Sequence, residues 1–221
     1  FLSYRLLTED VARFSLSDYL YIKMTILNLI FLNFFIILIS YLIGSIPNGY
    51  ILSKYFSKVD ITKEGSGNIG ATNVFRSGSK KLAIITLVLD VLKGILPILI
   101  FYNSIFSLVL ASLSAFIGHN YPIWLGFNGG KGIATYLGIS FAISLKLGFI
   151  FLIIWIITAL ISKTSSISSL TSIFLIPFIS LFILDNKLIS LLFLILTSIS
   201  FYRHKENIVR IINGSEPKIN I

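Results

Sequence analysis

Two stretches of this sequence carry the residue types that grip an anion. The first reads Gly65-Ser66-Gly67-Asn68-Ile69-Gly70-Ala71-Thr72-Asn73-Val74-Phe75-Arg76. Three glycines, two hydroxyls, two amides and an arginine fall within those twelve residues. Glycine lets backbone N–H groups approach an oxyanion closely, and arginine grips phosphate through paired hydrogen bonds. A flexible linker is the plain reading of such a loop, but Ser/Gly linkers rarely combine two Asn, a Thr and an Arg so densely. The second stretch reads Gly118-His119-Asn120-Tyr121-Pro122, then Phe127-Asn128-Gly129-Gly130-Lys131-Gly132 leading into an apolar run. Backbone donors with one lysine as a point charge make a phosphate cradle. The Walker A spacing and its following Ser/Thr are missing, which argues against a nucleotide. Lys131 also reads as a lysine snorkelling from a helix end. His119 reads first as a hydrogen-bonded structural histidine.

Three smaller clusters join them. The tail holds Arg203-His204-Lys205-Glu206-Asn207-Ile208, then Arg210 and Gly214-Ser215-Glu216-Pro217-Lys218. His204 and Asn207 are three apart and share a helix face. Both become ligands if that face looks towards the two loops; otherwise the basic tail only holds topology or touches anionic lipid. Asp90 and Lys93, also three apart, interrupt an apolar run, where charges are costly and often functional; they are also able to pair with each other as a structural ion pair. Lys163-Thr164-Ser165-Ser166 is a short polar turn. With two His, no Cys and scattered acids, the chain offers no metal constellation, no paired-carboxylate site and no Ser–His–Asp set in register. Anion donors and hydroxyls remain. They suit a phosphate-bearing substrate that reacts at or near a bilayer surface.

The elements that must position these residues are apolar. Of 221 residues 56% are hydrophobic and only 12% charged, with a mean hydropathy of +0.93. Soluble domains carry about twice that charge, so a soluble domain, a disordered chain and a nucleic-acid-binding module are all disfavoured. The expected fold is an all-α polytopic membrane protein. Spans are expected over Ile26 to Ile46, Leu82 to Tyr102, Ser104 to Ile117, Ile167 to Leu184 and Leu188 to Tyr202. Gly132 to Leu160 is too long for one span and reads as two short helices turning near Lys146 and Gly148. That makes about seven transmembrane helices. Placing the N-terminus outside and the C-terminus in the cytoplasm puts 12 of the 18 basic residues in cytoplasmic loops and tail, as the positive-inside rule requires. The only Met is Met24, directly before the first apolar run. Residues 1–23 therefore read as a non-native or upstream extension, with an amphipathic membrane-surface segment as the other reading, and 24–221 as one integral membrane domain.

Taken in order, several motifs resemble one family. They are Tyr41-Leu42-Ile43-Gly44-Ser45-Ile46-Pro47-Asn48-Gly49, the Gly65–Asn73 loop with Arg76, and Asp90 with Lys93-Gly94. The Gly118-His119 to Thr135 segment and the Arg203-His204…Asn207-Ile208 tail follow. Together they resemble the membrane-integral bacterial glycerol-3-phosphate acyltransferases that use acyl-phosphate, the PlsY family, over about Met24 to Lys218. The resemblance implies a seven-helix protein of the bacterial cell (cytoplasmic) membrane with its active site on the cytoplasmic face. It implies transfer of a fatty acyl group from acyl-phosphate to the 1-hydroxyl of sn-glycerol-3-phosphate. The products are lysophosphatidic acid and phosphate, in phospholipid biosynthesis. No cofactor and no metal are implied. The implied partners are the two substrates, the lipid bilayer and a handover from the acyl-phosphate-forming enzyme, with no nucleic acid.

Carried over residue by residue, the resemblance assigns Ser66, Asn68, Arg76, Lys131, His204 and Asn207 to catalysis. It assigns Gly67, Thr72, Asn73, Gly129, Gly130, Gly132, Ser165 and Ser166 to substrate binding. The base is His204 or a phosphate of the substrate, and the resemblance favours the phosphate. One departure stands out. The family commonly shows Asp-x-Arg before the first loop, whereas Asp60-Ile61 is followed here by Thr62 and Lys63. Two other classes remain open on the residues alone. A secondary transporter of a phosphorylated solute predicts inverted repeats and mid-membrane polar groups, whereas these polar groups gather at one face. A lipid-binding scaffold has no need of two anion loops.

Overall fold

The structure, a computed structural model, describes residues 16–219, and every regular element among them is helical. The chain divides into two compact units, Phe1–Phe35 and Ile36–Ile221. Helix α1, Leu16–Ser45, carries the described part of the first unit and continues into the second. It starts before Met24, and residues 1–15 of the expected extension lie outside the described residues.

In the second unit a short α2 (Asn48–Leu52) runs into a π-turn and a 3₁₀ turn, Ile61–Lys63. The Gly-rich loop then enters the short helix α3, Ala71–Arg76. Long apolar helices follow as α4 (Lys80–Phe101) and α5 (Ile105–Asn120). Next come α6 (Ile133–Ile143) and α7 (Leu145–Ser162), then α8 (Ser165–Ile183), α9 (Lys187–Arg203) and a final α10, Lys205–Ile212. Their starts are written in short polar residues. Ser79, Ser144 and Asn186 each accept a backbone N–H at a helix N-terminus, and Ser104 and Ser107 close a reciprocal capping box.

That chemistry corrects one boundary. The break in the long apolar segment falls at Ser144, not at Lys146 or Gly148. Ser144 accepts from Leu147 N and starts α7, so Lys146 and Gly148 lie inside its first turns. Gly148 is there for packing: a Cβ would stand 2.2 Å from the Phe141 ring.

Among the described residues, five helical stretches are long and apolar enough to cross a membrane, or six if α9 and α10, bent by 63°, count as one. Helix α6, at 11 residues, is about 16 Å long, roughly half the hydrocarbon thickness. It is largely buried within the second unit. The core is built around Tyr136 of α6, whose ring centroid lies 5.6 Å from that of Phe151 and 5.4 Å from that of Phe193. Its hydroxyl meets Thr197 Oγ1 at 3.2 Å, so the buried O–H keeps a partner.

Helices α4 and α6 cross through glycines. A Cβ on Gly94 would lie 2.3 Å from Thr135 O, and one on Gly138 would lie 2.0 Å from Val91 O. The crossing brings Asp90 on α4 beside Thr135, which donates to the Asp90 carbonyl at 3.1 Å. Gly138→Ala forces the two backbones apart and is expected to destabilise the protein by about 1–3 kcal/mol. Thermal unfolding of purified protein in detergent measures this; an unchanged midpoint would show that the crossing has slack.

Candidate active site

One cavity of about 290 Å³ gathers the polar clusters that are scattered along the sequence. Its lining includes Ser66, Asn68, Thr72, Asn73, Arg76, Lys131, Gly132, Ser165, Ser166, His204 and Asn207. It also includes the apolar Leu87, Ile133, Leu137, Phe151, Leu152, Trp155 and Ile156, contributed by α4, α6 and α7. The Trp155 indole N–H donates to Ser169 Oγ at 3.2 Å.

Lys131 is the central cation. Its Nζ donates to Asn207 Oδ1. Asn207 Nδ2 in turn donates to Glu216 Oε1 at 2.6 Å. The same carboxylate accepts from Ser166 Oγ at 2.7 Å and, through Oε2, from Arg210 Nε at 2.7 Å. Burial pushes the Lys131 ammonium down to about 8, against the opposing attraction of Glu216. Burial alone pushes the Glu216 carboxyl up. The hydrogen bonds from Ser166, Arg210 and Asn207 outweigh it and hold the group below the usual range. The tail continues past the carboxylate: Arg76 Nη2 donates to Pro217 O at 3.3 Å, and Ile219 N donates to Lys163 O at 2.8 Å. Thr72 Oγ1 and Ser165 Oγ stand 3.3 Å apart, joining the first loop to the start of α8.

His204 sits at the bend between α9 and α10, buried. Its Nδ1 donates to Ser200 O at 2.8 Å, since a carbonyl only accepts. General-base work by this ring would therefore fall to Nε2.

The glycines do something other than cradle an anion. Gly129 N and Gly130 N donate to Asn120 O and His119 O, both at 3.1 Å, and Gly67 N donates to Glu64 O at 2.9 Å. None of the three lines the cavity. A Cβ on Gly130 would stand 2.1 Å from His119 Nε2, so this glycine lets the loop lie on the buried imidazole. Asn73 is likewise committed to the loop. Its Oδ1 accepts from Ser66 N at 3.0 Å, and its Nδ2 donates to the carbonyls of Ile61, Glu64 and Asn68. It shapes the loop that presents Ser66 and Asn68. The donors that line this cavity are thus side chains more than backbone amides.

Residues outside the expected set also reach the cavity. Asp90 and His119 line it. Asp90 Oδ1 accepts from Lys93 Nζ at 2.7 Å and from Asn48 Nδ2 at 3.1 Å, and lies 3.9 Å from His119 Nδ1. The ion pair expected for Asp90 and Lys93 is formed. Glu216 was the residue hardest to foresee, because a carboxylate beside an expected anion site looks misplaced until its three donors are known. At the departure from the family pattern, Thr62 Oγ1 donates to Asp60 at 2.6 Å. The Lys63 side chain, 82% exposed, lies 3.9 Å from Asp60. Neither Thr62 nor Lys63 lines the cavity. Among the described residues, no group of three or more His, Asp or Glu side chains is placed to hold a metal.

Comparison with known proteins rests on nearly the whole chain. Residues 34–214 match the family model described as glycerol-3-phosphate acyltransferase. This chain belongs to the glycerol-3-phosphate acyltransferase family. A relative named glycerol-3-phosphate acyltransferase from Pelagibacter ubique is 50% identical over 183 residues, covering 82% of this chain and 95% of the relative. One of the same name from Brucella ovis is 45% identical over 186 residues, covering 83% and 91%. The crystal structure of PlsY, an integral membrane glycerol 3-phosphate acyltransferase, in its glycerol 3-phosphate form superposes with a TM-score of 0.81. It is 33% identical, with 85% of this chain and 96% of that chain covered. The PlsY resemblance read from the motifs is therefore correct.

The lowered Lys131 value makes a signed expectation. A cation at this position holds an anion while protonated, and that hold is lost as pH rises through about 8. KM for a phosphate-bearing substrate is expected to rise above pH 8 in the unaltered protein. In Lys131→Arg that inflection moves out of the measured range, because guanidinium does not titrate there. Arg76→Ala and Lys131→Ala are each expected to cut kcat/KM by about a hundredfold; near-normal activity in both would remove these residues from the site.

Proposed function

We propose that this chain transfers a fatty acyl group from acyl-phosphate to the 1-hydroxyl of sn-glycerol-3-phosphate, releasing lysophosphatidic acid and phosphate. The observation that carries the proposal is that one cavity is lined both by cations, amides and hydroxyls and by apolar side chains. An acyl-phosphate has a half to match each, and glycerol-3-phosphate has the polar one alone.

The chemistry asks little of the protein. Phosphate is already a good leaving group. The 1-hydroxyl oxygen bonds to the acyl carbon, the bond from that carbon to the phosphate oxygen breaks, and phosphate departs with the electron pair. The hydroxyl proton passes to a substrate phosphate or to His204 Nε2. Arg76 and Lys131 neutralise the two phosphates as charge shifts. Ser66, Asn68, Thr72, Ser165, Ser166 and Asn207 orient them, which turns a two-substrate encounter into a positioned one. Gly132 lines the cavity itself, while Gly67, Gly129 and Gly130 act at one remove, by letting the two loops take their shape. Asn73 does so through its four hydrogen bonds. No step needs a metal or cofactor.

In the bilayer the chain is read as seven spans with its N-terminus outside, its C-terminus inside and the site at the cytoplasmic face of the bacterial cell membrane. Helix α6 counts as the short, protein-buried crossing. The gathering of Arg76, Lys131 and the tail residues His204, Asn207 and Glu216 around one cavity, with Lys163 bonded to the tail through Ile219, supports this sidedness. Acyl-phosphate is insoluble enough that direct handover from the enzyme forming it is the expected supply. Residues 24–221 form the acyltransferase domain.

Purified protein, a defined acyl-phosphate and glycerol-3-phosphate are expected to release one phosphate per lysophosphatidate formed, with acyl-CoA giving none. No release from folded protein would favour transport of a phosphorylated solute or lipid binding. In the same assay His204→Ala decides the base: turnover within about tenfold of the unaltered protein leaves the substrate phosphate as acceptor, and a larger loss assigns the proton to the imidazole.

A further inference from the structure

The Lys131 loop is gripped along both edges of its backbone. Its N–H groups are taken by the end of α5, through Gly129 N to Asn120 O and Gly130 N to His119 O. Its carbonyls face the other way and are taken by α9. Arg203 Nη2 donates to Gly129 O at 2.7 Å and Arg203 Nε donates to Gly130 O at 3.1 Å. Ser200 Oγ donates to Lys131 O at 2.8 Å. The guanidinium is fixed from its other face by the Tyr121 ring, whose centroid lies 5.2 Å from Cζ. Tyr121 is itself tied to α1 through Tyr41 Oη, which donates to its carbonyl at 2.9 Å.

We propose that Arg203 is a positioning residue, which sets the place of the Lys131 ammonium by clamping the two carbonyls just before it. Arg203 does not line the cavity and so touches no bound substrate there; it acts through the loop. Two consecutive carbonyls need two donors at a fixed spacing in one plane. A guanidinium presents that fork, and an ammonium presents one point. The loop is the part of the site that most needs such a clamp. Its glycines contribute no side-chain packing of their own, and Gly132 turns through the left-handed region at φ +83°. Without Arg203 the carbonyl edge keeps Ser200 as its partner, and Lys131 loses its fixed approach to Asn207.

The inference rests on the reading that Lys131 holds a substrate phosphate, and its test separates the two. In the full-length purified protein, Arg203→Ala is expected to raise KM for glycerol-3-phosphate by about tenfold or more, from the loss of two charge-assisted hydrogen bonds, with a smaller change in kcat. Arg203→Lys is expected to fall between, and added guanidinium ion to restore part of the loss in Arg203→Ala. In a Lys131→Met background, Arg203→Ala is expected to cost nothing further, since its effect runs through the missing ammonium. A separate readout needs no turnover. The pH dependence of Lys131 amine labelling, followed by mass spectrometry, is expected to move from about 8 towards the ordinary lysine range in Arg203→Ala. An equal Arg203→Ala penalty with and without Lys131, or an unmoved labelling profile in Arg203→Ala and Arg203→Lys, overturns the inference. A shifted profile in a protein that makes no lysophosphatidate supports the clamp and overturns the acyl-transfer reading alone.

Discussion

An ammonium at the edge of an apolar bundle has to be held by something, and here the holder is itself held. Lys131 donates to Asn207, Asn207 to Glu216, and Glu216 is pinned by Ser166 and Arg210. The surrounding architecture follows from this chain of donors. Helix α9 must stop at Arg203 and bend by 63° so that α10 can bring Asn207 over the cavity. The tail must turn back so that Glu216 reaches Ser166 at the start of α8. The alternation of charge, +, neutral, −, +, lets two cations approach one site without facing each other bare. A buried charge is tolerable only where such pairing offsets its lost hydration.

The division of labour between backbone and side chains is unusual for loops so rich in glycine. Glycine-rich anion loops commonly present free N–H groups. Here the amides of Gly67, Gly129 and Gly130 are spent on neighbouring carbonyls. Their missing side chains serve close approach, most clearly of Gly130 to the His119 ring. The loops are thus rigid supports, and the donors they deliver are Ser66, Asn68, Arg76 and Lys131. Rigid support suits the positioning on which the proposed acyl transfer depends.

Much of this was legible in the sequence, for identifiable reasons. Apolar runs longer than about 18 residues have few other uses, so α1, α4, α8 and the class of fold could be read directly. Helix starts are written in capping residues such as Ser79, Ser104 and Asn186. The turn expected near Lys146 and Gly148 falls at Ser144, because a glycine reads as a breaker unless its packing partner, Phe141, is known. All the expected polar side chains, from Ser66 to Asn207, line one cavity. The three expected residues that do not, Gly67, Gly129 and Gly130, had been credited with spare N–H groups. Asp90, His119, Trp155 and Glu216 went unassigned, since each is ordinary until its neighbours are placed.

Sequence alone settled what depends on composition and on residues near in the chain: a membrane protein, its apolar helices, and the family carried by its ordered motifs. Tertiary structure alone decided which polar groups were free to meet a substrate. Whether an amide, a histidine or a carboxylate is spare depends on what lies across from it. Those partners here are 76 residues apart for Lys131 and Asn207, 50 for Ser166 and Glu216, and 73 for Arg203 and Gly130. Hydrogen bonds are short-ranged and saturable, so such commitments are fixed only when distant segments pack.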